Sequence, residues 1–319
     1  MSRLDLTFNS EQPPREVTWQ GLRLREDTAY TDPKGRENDS ARRSVEKVLS
    51  PLAGVLQNLL EADEAILYAA RANAPLGTLE QLTLGWYAQY VGQTTLVVTD
   101  RRLLHLAVTR NGQWKHNVRS LQWGDLQDVK IKGWLARTME LHYANDRKEK
   151  YWAIRARDAK KLRVLIPVLL AAYRGQVTAR QGMTPLCPEC KTALTAKVYQ
   201  CANCGLVFKD EKTAVRRSLL IPGGGYFYTG QHFLGVLDLI AEGYLLLLLA
   251  AFVLLAFLGD EPTAPGEEAL TTLDALLFAG FIGFLLVLEK LITIHHCRRA
   301  VRDFIPTTEK RLGTPPPIG

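Results

Sequence analysis

Four cysteines, Cys187, Cys190, Cys201 and Cys204, stand in the pattern CxxC–x10–CxxC. Two residues between cysteines let one tight turn aim two sulfurs at one point. Two such turns place four thiolates at the corners of a tetrahedron, which suits Zn2+. Iron in a rubredoxin-like cage is the alternative occupant. Four protein ligands leave no position for water or substrate, so the expected role is structural: the ion supplies folding free energy to a segment too small for a core of its own. The fifth cysteine, Cys297, follows His295 and His296. With no further ligand cluster beside them, these three read as a juxtamembrane patch rather than a second metal site. There is no nucleophile elbow, no zincin motif and no glycine loop followed by GK[ST], so no enzymatic activity is expected.

The chain that must position these cysteines has 319 residues and a formal net charge of +7. Its length allows two or three domains, and its charge favours acidic partners without choosing between lipid headgroups and nucleic acid. Lys and Arg are concentrated between Thr94 and Arg180. Arg101 and Arg102 share a tight turn, Lys130 and Lys132 alternate along a strand, and Lys160 and Lys161 open a helix. Gathered on one side they would bind anionic lipid or a partner; scattered, they are a solvated surface. The opening MSRLDLTFNSEQPPREV lacks the apolar segment of a secretory signal, so the soluble part is expected in the cytosol, where thiols stay reduced.

Residues 1–44 are polar and proline-containing and read as mostly a flexible tail, with one strand over TWQGLRL (18–24) as the alternative. From 45 to 60 apolar residues recur at helical spacing, interrupted by Pro51, and AILYAARA (65–72) is a continuation or a first strand. Alternating β-branched residues from Thr95, the pair Asn111-Gly112, and the runs around Met139–Tyr143 and Tyr151–Ala156 predict an antiparallel sheet of six or seven strands. Leu162, Leu165, Ile166, Leu169, Leu170 and Tyr173 form the stripe of a closing helix containing Pro167. The stretch TTLVVTDRRLLHL (94–106), followed by more strands and one helix, resembles the strand–turn–strand "TDxRL" signature of bacterial PH-like (GRAM-like) domains. That resemblance covers roughly residues 60–175 and implies a PH-like sheet or barrel with a C-terminal helix over 45–178. GWYAQYVGQ departs from that pattern. CPECK and CANCG resemble the knuckles of a short zinc ribbon, over 183–210.

Residues 235–258 and 275–294 are apolar runs long enough to span a bilayer at about 1.5 Å per residue. Lys209, Lys212, Arg216 and Arg217 precede them and Arg298, Arg299 and Arg302 follow, while the link 259–274 is acidic. The positive-inside rule then puts both termini, including the tail 298–319, in the cytosol and the link outside the cytoplasmic (inner) membrane. Pro-Gly-Gly-Gly forbids a regular helix at the approach to the first run. Pro222, Gly223, Gly225, Tyr228 and Gly230 resemble the "PGxGxxYxG" motif of small two-helix membrane domains of the TM-two type, implying a membrane domain over 216–297 with 218–234 re-entrant or interfacial. Asp238 and Glu242 lie one turn apart near the cytosolic end, level with Glu289 and Lys290.

The whole reads as a multidomain α+β membrane protein: PH-like sheet, zinc ribbon and transmembrane hairpin. The expected function is a non-catalytic, membrane-anchored adaptor that binds anionic lipid or a protein partner, the ribbon serving as a joint. Membrane lipids and a protein partner or second copy are the expected partners. The alternatives are an oligomeric small transporter or channel component, using Asp238 and Glu242, and a membrane-tethered nucleic-acid-binding protein. The ten residues between the knuckles carry only Lys191, Lys197 and Tyr199 for the last, a thin basis for nucleic acid.

Overall fold

A computed structural model describes residues 15–134, 137–178, 182–258 and 271–307. It divides into two compact units, the described residues up to Leu206 and Val207–Thr307.

The first unit is a large, mainly antiparallel sheet with helices. It opens with a hairpin, β1 (Glu16–Trp19) and β2 (Leu22–Arg25), then α1 (Glu26–Ala29). These elements fall where a flexible tail was expected, and Leu22 and Leu24 are core residues. The expected helix over 45–60 is split by Pro51 into α2 (Asp39–Leu49), capped by Asn38, a 3-10 turn, and α3 (Ala53–Leu59). Proline tolerates the first turn of a new helix but not the interior of an old one.

β3 (Ile66–Asn73) follows, settling AILYAARA as a strand. The connection to the next strand is helical: α4 (Thr78–Leu84), a 3-10 turn and α5 (Ala88–Val91). β4 (Gln93–Thr99), β5 (Arg102–Val108) and β6 (Trp114–Gln122) form a meander. The Asn111-Gly112 hairpin is present, but only Gly112 takes positive φ (85°), so the turn is not the mirror-image type that needs it at both positions. β7 (Leu126–Lys132), β8 (Arg137–Tyr143) and β9 (Lys148–Ile154) form the second meander, and α6 (Ala156–Ala172) follows with Leu162, Leu165, Ile166 and Leu169 buried. Pro167 lies inside α6. The final strand, β10 (Thr184–Leu186), pairs with β6, and the sheet runs open in the order β10-β6-β5-β4-β3-β9-β8-β7, with β1 and β2 off this path.

Register places Ala70, Leu96, His105 and Arg119 in one cross-strand row. His105 lies in the core, edge-on to Tyr151 of β9 at 5.6 Å, and neither ring nitrogen has a hydrogen-bond partner. Burial, reinforced by Arg119, pushes its pKa down to about 3.

The second unit contains α7 (Glu211–Leu220), α8 (Gly224–Thr229), α9 (His232–Leu258) and α10 (Thr272–Val301). The helix break falls at 221–223; Gly224 and Gly225 are themselves helical, contrary to the expectation from Pro-Gly-Gly-Gly. α9 and α10 pack antiparallel, with Phe252 stacked on Phe278 and Glu242 paired with Lys290. Eighteen-residue stretches of mean hydropathy 2.4 and 2.2, within helices of 27 and 30 residues, make both candidate membrane spans, longer than the sequence suggested. Thr271 and Asp274 form a capping box that starts α10, so Asp274 belongs to the helix; most of the expected acidic link lies outside the described residues. Residues 304–307 return to 207–209: Lys209 N donates to Ile305 O and Thr307 N to Val207 O, both within 3.0 Å. The start of the expected C-terminal tail is thus part of this unit, which begins at Val207 rather than 216.

His105 yields an acid-sensitivity prediction. An unfolded histidine takes up a proton near pH 6.5, whereas the folded one resists it down to about 3. The folded state keeps its stability above the unfolded value and loses it as pH falls toward the folded one. Between pH 7 and pH 5 this single group should remove about 2 kcal/mol. Urea unfolding of the full chain at both pH values should show His105→Leu flattening that loss.

Candidate functional site

The first knuckle begins where β10 ends. Cys187 follows Leu186, and its N–H donates to Thr192 O at 2.8 Å while Lys191 N–H donates to Cys187 O at 3.0 Å. The second knuckle repeats this pattern: Cys201 N–H to Leu206 O at 2.8 Å, and Gly205 N–H to Cys201 O at 3.0 Å. Lys191 and Gly205 occupy matching positions and both take positive φ, 61° and 74°. Glycine suits that conformation; lysine adopts it at a cost of about 1 kcal/mol. Lys191 is held further by donating from Nζ to Leu60 O at 3.3 Å.

The two knuckles bring all four sulfurs within 4.8 Å of one another. Cys187 and Cys204 are 3.5 Å apart and Cys190 and Cys201 3.4 Å, far beyond the about 2.05 Å of a disulfide. A tetrahedral ion with metal–sulfur bonds of about 2.3 Å sets its sulfurs about 3.8 Å apart. The cluster can therefore hold a metal ion. Burial pushes the Cys187 thiol up. At Cys190 burial is outweighed by hydrogen bonds from Thr192 and Asn203, which hold the thiol down to about 6. Thr192 carried no sequence signal beyond its place after the knuckle.

The basic positions are not gathered on one free surface. Arg102 is buried and grips Glu64 with two bonds of 2.9 and 2.7 Å, while Nη2 also donates to Leu59 O at 3.0 Å. Thr99 donates to the same carboxylate at 2.8 Å, Asp100 accepts from Ala65 N–H at 3.0 Å, and Trp123 Nε1 donates to Thr99 O at 3.1 Å. The TDxRL stretch is thus a polar knot joining the β4–β5 turn to residues 59–65. Arg101 pairs with Glu61 and Asp63. Lys161 is buried in α6, donating to Thr31 Oγ1 at 2.6 Å and Asp32 O at 3.1 Å, and burial lowers its pKa to about 8. Lys130 and Lys132 are exposed beside Asp128 and Glu140, and Lys160 is exposed. Arg102 and Lys161 are therefore tertiary ties rather than ligand-facing charges, which charge counting along the sequence could not reveal.

In the second unit each residue of the glycine-rich motif has a local job. Pro222 follows the last turn of α7 and lacks the N–H needed to extend it. Gly223 takes φ 68° and passes so close to Gly235 O that a side chain there would clash. Gly225 leaves no space for a Cβ beside Ser218 and Cys297. Gly230 caps α8 in the left-handed conformation. The Tyr228 hydroxyl accepts from Asp210 N–H at 3.1 Å, and Arg217 lies over its ring. His296 Nδ1 meets the Tyr226 hydroxyl at 2.7 Å, and Cys297 is buried. The polar groups of the two long helices meet as the pattern suggested: Lys290 bonds Glu242 at 2.6 Å and Ser218 O at 2.7 Å. Thr293 donates to Glu289 at 2.8 Å and lies 3.3 Å from Asp238. Asp238, Glu242 and Glu289 form a carboxylate cluster. Sequence spacing found Asp238, Glu242, Glu289 and Lys290 but missed Thr293, which links Glu289 and Asp238.

No protein-family model and no curated protein matches the chain. A solved structure, the C-terminal domain of an unknown protein from Leishmania infantum, aligns with 40% of this chain and 97% of its own at 15% identity. Its TM-score of 0.25 is too low to bear on fold or function.

Two outcomes follow from this geometry. Removing metal with a chelator, or Cys201→Ser, should speed hydrogen exchange at the β10–β6 pairing, because β10 ends at the first ligand; unchanged exchange would separate the cluster from the sheet. Arg102→Ala leaves the buried Glu64 carboxylate without its guanidinium and should cost about 3–5 kcal/mol. Arg101→Ala, with exposed partners, should cost less than about 1 kcal/mol in the same denaturation series.

Proposed function

We propose that the protein is a non-catalytic adaptor anchored in the cytoplasmic membrane by a hairpin of the TM-two type. Its cytosolic, PH-like sheet domain binds anionic lipid or a protein partner, and Zn2+ held by Cys187, Cys190, Cys201 and Cys204 is structural. The observation that carries the anchored reading is the apolar flank of α9 and α10: Leu247, Phe257, Leu277 and Phe284 are among many large side chains left exposed. A surface of that extent is costly in water and ordinary in lipid.

Orientation is supported by charge. α9 starts and α10 ends at the same end of the hairpin, and Lys209, Lys212, Arg216, Arg217, Arg298, Arg299 and Arg302 all belong to that end by sequence. Positive residues favour the cytosolic side, which also keeps the four thiols reduced and ready for metal. Four thiolates saturate a tetrahedral ion, so it supplies rigidity rather than a reaction centre. The ribbon's role is refined by its place: β10 belongs to the sheet, so the metal secures the sheet's edge as well as the exit of the chain toward Val207.

Alkaline extraction and protease protection test this reading. The full chain should stay in the membrane pellet at high pH. Protease added to the outer face should leave the sheet domain intact, and protease added to inverted vesicles should digest it. Release by alkali, or digestion from the outer face, would contradict the assignment.

A further inference from the structure

We infer that residues 78–91, the helical connection between β3 and β4, dip into the interface of the bilayer that holds the chain's own hairpin. Of residues 75–92 only Glu80 is charged, and it is buried. What the segment exposes is uncharged: Leu79, Leu82 and Trp86, at 42%, 79% and 66% accessible, stand among exposed Thr78, Gln81, Thr83 and Gln89. Trp86, Tyr87 and Tyr90 form one aromatic cluster, with centroids 5.6 to 5.8 Å apart.

The base of the segment is pinned and cationic. Ala74 N–H donates to Gly92 O at 2.7 Å, closing its neck, and Trp152 Nε1 donates to Ala74 O at 3.3 Å. Lys115 donates to Tyr90 O and Val91 O at 3.4 and 3.3 Å. The Arg110 guanidinium lies 5.6 Å from the Tyr90 ring centroid, and Arg71 donates to Arg110 O at 3.4 Å. Exposed leucines, an aromatic cluster and cations at the neck are the three kinds of group that a bilayer interface accepts, from acyl chains to anionic phosphates. The chain carries its own anchor, so the bilayer is present at high effective concentration, and a small apolar contact suffices where a free domain would need more. This assignment rests on the anchored reading above. It places lipid contact on a segment other than the Arg101, Arg102 and Lys161 positions suggested by charge.

The test uses the full chain in nanodiscs, with a photoreactive benzophenone side chain in place of Leu82 and, as control, of Asn145, an exposed turn residue between β8 and β9. Nanodiscs contain phosphatidylcholine alone or with phosphatidylglycerol. Lipid adducts should form at position 82 and not at 145, rise several-fold with the anionic lipid, and fall on combining Arg110→Gln with Lys115→Gln. Adducts to protein at position 82, whether from this chain, a second copy or a protein partner, would overturn the inference, as would no lipid adduct at all. If alkali still leaves the chain in the membrane in that case, the anchored reading stands and only the dipping segment fails; release by alkali removes both.

Discussion

Four thiols brought within 4.8 Å are a constraint that the end of the first unit cannot escape. As thiolates they repel one another, and as thiols they make only weak hydrogen bonds. A bound cation resolves the conflict, and with structural zinc it does so with an apparent binding free energy on the order of 10 kcal/mol. The strand leading to the first sulfur is three residues long and contains Pro185. Such a strand has little pairing energy of its own. On this account the metal completes the edge at β6 and fixes where the chain leaves Leu206.

The second unit meets a comparable problem in reverse. Its helices are apolar enough for lipid, yet Asp238, Glu242, Glu289 and Lys290 lie on their facing sides. Lys290 and Thr293 gather these groups between the helices, and the Ser218 carbonyl takes a further lysine proton. Pairing a buried carboxylate with a cation and a hydroxyl also builds the Arg102–Glu64–Thr99 knot in the first unit.

Features whose chemistry is local were legible in the sequence. The CxxC spacing named all four cysteines, because two residues suffice to make each knuckle. The long apolar runs, the Asn111-Gly112 hairpin and the stripe of α6 were legible for similar reasons. Features that depend on distant partners were not. The β1–β2 hairpin is built from four-residue strands that acquire meaning only when Leu22 and Leu24 reach the core. β10 was hidden by Pro185, which an edge strand tolerates and a central one does not. Arg102 and Lys161 looked like surface charge because Glu64 and Thr31 lie far away in sequence. The GWYAQYVGQ stretch broke the strand pattern because it is helical.

The most direct test of the metal-centred account is X-ray absorption at the zinc edge on the purified full chain, with metal content measured on the same sample. One zinc per chain, with four sulfur scatterers at about 2.3 Å and no oxygen or nitrogen neighbour, is the predicted result. A chain that stays folded without metal, or a zinc with fewer than four sulfurs and an oxygen or nitrogen in the remaining place, would contradict it.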